Sequence, residues 1–99
     1  MTNPIPVEHR PADLRFTADV GGGEHAVLLY QPAGDHALDL QHTIVPEDAQ
    51  GEGVADALVH AAVAYARAHG VRLIATCAYV RAWVRRHPDE RAVFEGEGD

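Results

Sequence analysis

The sequence predicts an α+β fold: a mixed, mostly antiparallel twisted sheet with a central crossover helix and a short C-terminal helix. Three observations carry this. Apolar positions alternate in three successive runs between Leu14 and Val45, parted by short turns rich in Gly and Pro. After Gly53 the apolar period lengthens to that of a helix. A further apolar run, Val71 to Thr76, follows that helix, as a crossover to a parallel strand requires.

Each element has its own warrant. Met1 to Asp13 is rich in proline and lacks a clear period, which predicts an extended arm with a short extended piece at Ile5 to His9. Leu14, Phe16, Ala18 and Val20 keep the two-residue period of a half-buried strand, and Gly21, Gly22 and Gly23 stop it. In His25 to Tyr30, Ala26, Leu28 and Tyr30 share one face and Val27 and Leu29 the other, so this strand is expected to be covered on both sides. The third strand spans Ala37 to Val45. Leu38, Leu40, His42 and Ile44 fall on one face, Asp39, Gln41, Thr43 and Val45 on the other, and Pro46 ends the run.

From Val54 to His69 the stripe Val54, Leu58, Ala61, Ala62 and Tyr65 reads as an amphipathic helix. Its alanines favour helix and allow close approach to a sheet, and Gly70 suits its C-terminal stop. Tyr79 to Arg86 is a second, short helix, with Val80, Trp83 and Val84 facing inward and Arg81, Arg85 and Arg86 outward; Pro88 cannot continue it. Residues 1–94 are expected to form a single domain, and Glu95 to Asp99 a disordered acidic tail.

Composition narrows the function. With 99 residues, 46% of them hydrophobic, the chain has material for one core. Eight basic and fifteen acidic residues give a net charge of −7, and all eight basic residues are arginine. A nucleic-acid partner is therefore not expected. Any bound anion must be held by arginine, backbone N–H groups or a helix end. The single cysteine, Cys77, excludes an internal disulfide and a cysteine-built zinc site. No apolar stretch is long enough to span a membrane and the N-terminus lacks the apolar run of a signal peptide, so a cytoplasmic setting is expected.

The most informative local motif is Gln50-Gly51-Glu52-Gly53-Val54-Ala55, between a strand end and a helix start. Such a turn aims free N–H groups at one point, with the positive end of the helix dipole behind them, and glycines let a phosphate approach the backbone. The alternative is an ordinary glycine-rich turn. Glu52 is adverse, since its carboxylate repels phosphate unless it points away. Cys77, just before the second helix, is either a thiol activated by the helix end or a small buried residue. His42, on the face with Leu38, Leu40 and Ile44, is expected to be partly enclosed, as a functional imidazole or a hydrogen-bonded structural one. Arg81 and Arg85 share a helix face that either meets a phosphate or solubilises the surface. Tyr79 begins the second helix beside Cys77, where its hydroxyl can face a cleft. His9, His25 and His36 look solvated, and His87 caps a helix end. No group of His, Cys, Asp and Glu has metal-ligand spacing along the chain, so no metal is expected.

Taken together, His42-Thr43-Ile44-Val45-Pro46, Gln50-Gly51-Glu52-Gly53-Val54-Ala55, Leu58-Val59, Ala66-Arg67, Cys77, Tyr79-Val80 and Arg86-His87-Pro88-Asp89 resemble the small, stand-alone branch of the GCN5-related N-acetyltransferase (GNAT) superfamily. The resemblance covers about Arg15 to Asp89. It implies the minimal GNAT-like fold and acetyl-CoA as co-substrate. The family's loop pattern falls on Gln50, Gly53 and Ala55, which places cofactor binding on Val45, Gln50, Gly51, Gly53, Val54 and Ala55. It also implies a pantetheine path between the third and fourth strands where they part, with Cys77, His42 and Thr43 lining the cleft. Departures are Glu52, where members often carry arginine, and Ala75 and Ala78, where prolines often flank the cysteine.

The activity so implied is transfer of an acetyl group from acetyl-CoA to an amine. The charge of −7 steers toward a cationic acceptor. His42 would take the amine proton and Tyr79 would protonate the departing thiolate, with Cys77 either lining the site or carrying the acetyl group in a covalent route. Direct transfer is preferred because no base neighbours Cys77 in the sequence. The alternatives are a non-catalytic acyl-CoA-binding or protein-interaction module and a plain structural domain. The acceptor and the oligomeric state are not legible.

Overall fold

Two-residue alternation in the first half of the chain and helical periodicity in the second produce the elements in order. A computed structural model describes residues 5–95. Four strands come first: β1 (Glu8–Arg10), β2 (Arg15–Gly21), β3 (Glu24–Pro32) and β4 (Ala37–Ile44). Helix α1 (Val54–His69), strand β5 (Arg72–Ala75) and helix α2 (Ala78–Arg86) follow. Short 3-10 turns occupy Pro11–Asp13, Glu47–Ala49 and Pro88–Val93. Met1 to Pro4 and residues 96–99, which include most of the expected acidic tail, lie outside the described residues.

The sheet order is β1-β2-β3-β4-β5. The first three pairings are antiparallel, and β4 pairs with β5 in parallel, Leu38 opposite Leu73 and Leu40 opposite Ala75. Helix α1 makes the crossover. The sheet is therefore mixed and mostly antiparallel, as the sequence predicts. Gly21, Gly22 and Gly23 join β2 to β3 with φ of +94°, +63° and +78°, a region other residues enter only with strain. None of the described helices is long and apolar enough to cross a membrane.

One core holds the elements together. Phe16 and Ala18 of β2, Ala26, Leu28 and Tyr30 of β3, Leu40 of β4 and Leu73 of β5 meet Leu58, Val59, Ala62, Val63 and Ala66 of α1. Val80, Trp83 and Val84 of α2 complete it, and Trp83 is the largest fully buried side chain. The buried stripe of α1 is broader than the sequence pattern. Val59 and Val63 are buried, while Ala61 and Tyr65 are only partly covered, because α2 adds a second packing surface beside the sheet.

Three expectations need correction. The opposite sheet face is not covered: Val27 and Leu29 are half-buried and Ile44 is 54% exposed. A one-sided sheet still tolerates branched apolar residues on its open face. The residues read as an arm include a strand, and His9, read as solvated, is partly buried. It stacks on Phe16 at 4.2 Å between ring centroids and shares a 2.6 Å hydrogen bond with the Tyr30 hydroxyl. The third correction concerns His42. Leu29 pairs with His42 and Tyr30 with Leu40, so Gln41 is an extra residue in β4. This bulge shifts the alternation by one. Leu40 points into the core, but His42 is exposed on the open face, and Thr43 takes the inward direction.

Candidate functional site

The β4–α1 connection is built mainly from backbone. The 3-10 turn Glu47–Ala49 tucks Ala49 into the core, and the Gln50 side chain donates to the Val45 carbonyl at 3.1 Å, closing the loop. Gly53 stands at the helix start with φ of +83° and offers no side chain to cap it. The first intrahelical bond runs from Ala57 N–H to the Gly53 carbonyl at 3.0 Å. The N–H groups of Val54, Ala55 and Asp56 thus belong to the open first turn, at the positive end of the dipole. No Cβ of Gly51 or Gly53 would meet another atom within 4 Å, so the loop is open space on its outer side.

These groups surround a pocket of about 310 Å³. All six residues expected to hold the cofactor, Val45, Gln50, Gly51, Gly53, Val54 and Ala55, line it, and Tyr79 from α2 joins them. Ala49 and Asp56 also line it and were not anticipated. Glu52 is not on its wall; it borders a separate hollow with Glu24 and Asp48. The carboxylate inside the loop motif therefore faces away from the pocket. Asp56 is the acidic residue that does line it, and its Oδ1 accepts a 2.7 Å bond from the Trp83 indole N–H.

The arginines are placed differently from the reading of Arg81 and Arg85 as a phosphate-facing pair. The Arg81 guanidinium donates to the carbonyls of Thr76 at 2.6 Å and Ala75 at 3.4 Å, ending β5. Arg85 is exposed, and neither lines the pocket. Arg86 is the arginine beside it, 5.8 Å above the Tyr79 ring centroid. Burial, reinforced by the charge of Asp56, pushes the Tyr79 hydroxyl above its ordinary value, with Arg86 opposing. Tyr79 therefore keeps its proton through the neutral range.

Cys77 sits at the start of α2 and is buried. Its N–H bonds the Leu40 carbonyl at 2.9 Å, the last link between the β4 and β5 sides. Beyond Leu40, β4 continues without a β5 partner. The strands part here, and Sγ of Cys77 lies 3.4 Å from Oγ1 of Thr43 across the opening. Thr43 is the only hydrogen-bonding side chain at the thiol among the described residues. His42 stands on the other side of the sheet. The structure thus brings Tyr79 to the loop and Thr43 to Cys77, and it separates His42 from both.

Comparison with known proteins agrees with this architecture. A family model described as GCN5-related N-acetyl-transferase matches residues 15–93. A protein from Bos taurus called Protein NATD1 is 38% identical over 86 residues, covering 86% of this chain and 76% of its own length. Human Protein NATD1 is 37% identical over 86 residues with the same shares covered. A GCN5-like protein from Staphylococcus aureus, solved in solution by NMR, superposes with a TM-score of 0.74 over 97% of this chain and 93% of that one. At 20% identity, that last likeness speaks for the fold alone. The chain belongs to the GCN5-related N-acetyltransferase superfamily, as a small domain of a branch related to NATD1.

Proposed function

We propose that this domain transfers an acetyl group from acetyl-CoA to an amine. The observation that carries the reading is the pocket at the uncapped start of α1, walled by Val45, Gln50, Gly51, Gly53, Val54 and Ala55. In a chain without lysine, three first-turn N–H groups and two glycines are the means present to receive a pyrophosphate. Acetyl-CoA, when bound, supplies an activated thioester carbonyl.

The remaining roles fall to the chain. The parting of β4 from β5, lined by Thr43 and Cys77, is the path for the pantetheine arm toward the thioester position. The acceptor would come from the open face of the sheet, where His42 stands at the same parting and can take the proton of an approaching amine. Tyr79, two residues beyond Cys77 at the head of α2, would supply the proton to the thioester sulfur that leaves as the amine is acylated. Transfer is direct in this scheme. Cys77 is buried and, among the described residues, only the Thr43 hydroxyl bonds its sulfur, so none of them serves as a base to make it a nucleophile. Cys77→Ala is accordingly expected to keep turnover within about tenfold of the parent, whereas a covalent route through the thiol predicts its loss.

The test is thermal unfolding with and without acetyl-CoA, beside an Ala55→Glu variant. A ligand specific to the folded state adds about 1.4 kcal/mol at ten times its Kd. For a domain of this size each kcal/mol is worth about 4–8 °C. Ala55 is the second residue of α1, where an acid suits the helix dipole, so Ala55→Glu should fold while presenting a carboxylate to the anion site. A rise of several degrees, lost in the variant, is the expected result. No rise in the parent overturns cofactor binding. One specific feature, the Asp56 carboxylate on the pocket wall, favours a second reading as a weak, non-catalytic acyl-CoA-binding module. A rise in midpoint with no release of CoA thiol across a panel of amines selects that module.

A further inference from the structure

On the side of α1 turned toward α2, three side chains distant in sequence stand together. We propose that Asp56, His60 and His87 form a binding site for a divalent transition cation of the zinc class. One ligand atom from each of the three lies within 4.8 Å of the other two. Asp56 and His60 are one helical turn apart on α1, and Nε2 of His60 is 3.4 Å from Oδ2 of Asp56. His87 follows the last turn of α2. The expectation of no metal-spaced group passes over the i,i+4 pair Asp56 and His60, which His87 joins only when α1 and α2 pack.

What distinguishes this group from a chance surface cluster is the set of bonds behind it. Nδ1 of His87 lies 2.8 Å from the Trp83 carbonyl. A carbonyl only accepts, so Nδ1 carries a proton, and in the neutral ring Nε2 is the nitrogen with the lone pair. The Trp83 indole N–H occupies Oδ1 of Asp56, leaving Oδ2 for the cluster. Both are the outer contacts that orient ligands at metal sites: a histidine donating its second nitrogen to a carbonyl, and a carboxylate held through its other oxygen. Trp83 supplies both, through its ring and its backbone. It also fixes the His87 ring by stacking on it at 3.9 Å, and it lies edge-to-face with the exposed His60 ring at 5.1 Å.

The donor set decides the ion. Two imidazoles and one carboxylate suit Zn²⁺ and its first-row neighbours, whereas Mg²⁺ and Ca²⁺ ask for oxygen donors throughout. Tetrahedral zinc with bonds of about 2.1 Å sets its ligand atoms about 3.4 Å apart. The Asp56–His60 pair already has that spacing, and the His60 side chain, 51% exposed, is free to swing toward His87. The same exposure leaves further coordination positions open to water. A cation held here also offsets the Asp56 charge on the wall of the neighbouring pocket. The proposal does not depend on acetyl transfer.

The test uses the full chain, freed of metal by a chelator and titrated with Zn²⁺ alone by calorimetry near neutral pH. Co²⁺ serves as a spectroscopic probe through its visible absorption. The expected result is one equivalent bound with a micromolar or tighter Kd, weakened about tenfold or more in His60→Ala. His36→Ala, which removes an exposed turn histidine, should bind as the parent does. His60 is exposed, so the variant should keep its fold, as an unchanged unfolding midpoint without metal would verify. Absence of saturable uptake at micromolar Zn²⁺, or equal affinity in His60→Ala, overturns the site.

Discussion

Helix α1 is fastened at both ends by histidines, and the two ends do so by different physics. At its C-terminal end, Tyr65 and His69 stack at 4.2 Å, and Tyr65 meets the edge of His9 from β1 at 4.4 Å. His9 lies on Phe16 and bonds the Tyr30 hydroxyl. At the N-terminal end, Asp56 and His60 face Trp83 and His87 of α2. The first group surrounds its imidazole with rings and a hydroxyl, and burial, followed by repulsion from His69, pulls His9 below its ordinary pKa. The second sets two imidazoles beside a carboxylate at the protein surface. The same residue type becomes a structural fastener in one place and a candidate ligand set in the other. The partners decide, because burial and a neighbouring imidazole disfavour charge on His9, while Asp56 adds an oxygen donor to the two ring nitrogens of the other group.

The sharpest way to break this comparison is at Trp83, which serves both the core and the Asp56 end. Trp83→Ala should cost about 3–5 kcal/mol in urea unfolding, from the lost burial and the cavity left behind. Trp83→Phe keeps a smaller ring and loses the N–H, so its deficit joins the indole bond to Asp56 to a partial packing loss. That bond to a charged group is worth about 1.5–3 kcal/mol. A Trp83→Phe variant as stable as the parent would show that the N-terminal end is held by packing alone. At the other end, Tyr30→Phe removes only the hydroxyl on His9 and should cost about 0.5–1.5 kcal/mol.

The smallest effect is electrostatic. His9 titrates below 6.5 in the folded state and near 6.5 when unfolded. The unfolded chain therefore binds the proton more readily. The contribution of His9 is intact above about pH 6.5 and is lost as pH falls from there through the folded value. Stability measured across that window should decline toward acid, and His9→Asn should flatten the decline. An unchanged slope would mean that burial and His69 do not disfavour the charge on His9.

What was legible in the sequence shares a physical character. The loop site is made of backbone conformation and helix polarity, both of which follow from local residue order, so Gly51, Gly53 and the start at Val54 could be read directly. The bounds of α1 follow equally from Gly53 and Gly70. The fate of His42 could not be read. Leu40, His42 and Ile44 continue an unbroken apolar alternation, and no glycine or proline marks the bulge at Gln41. The outward turn of Glu52 depends on side-chain direction in a loop, which composition does not encode. Strand β1 has three residues between proline-rich flanks and exists because β2 offers an edge. The union of Asp56 and His60 with His87 arises only when α1 and α2 pack, and Trp83 arranges it from a position 27 residues away from Asp56.

The extra residue in β4 makes odd and even positions trade sides. Loss of Gln41 would restore plain alternation and leave every neighbour where it is, Leu40 and Thr43 on the core side and His42 outside, because the bulge residue has no partner in β3. In this strand a single-codon deletion at the bulge is thus silent for the facing of the residues around it. A lineage can change the length of β4 at this one point and still keep Thr43 beside Cys77. Length and facing are uncoupled at the bulge, so the arrangement on either side of the sheet survives a change in count there.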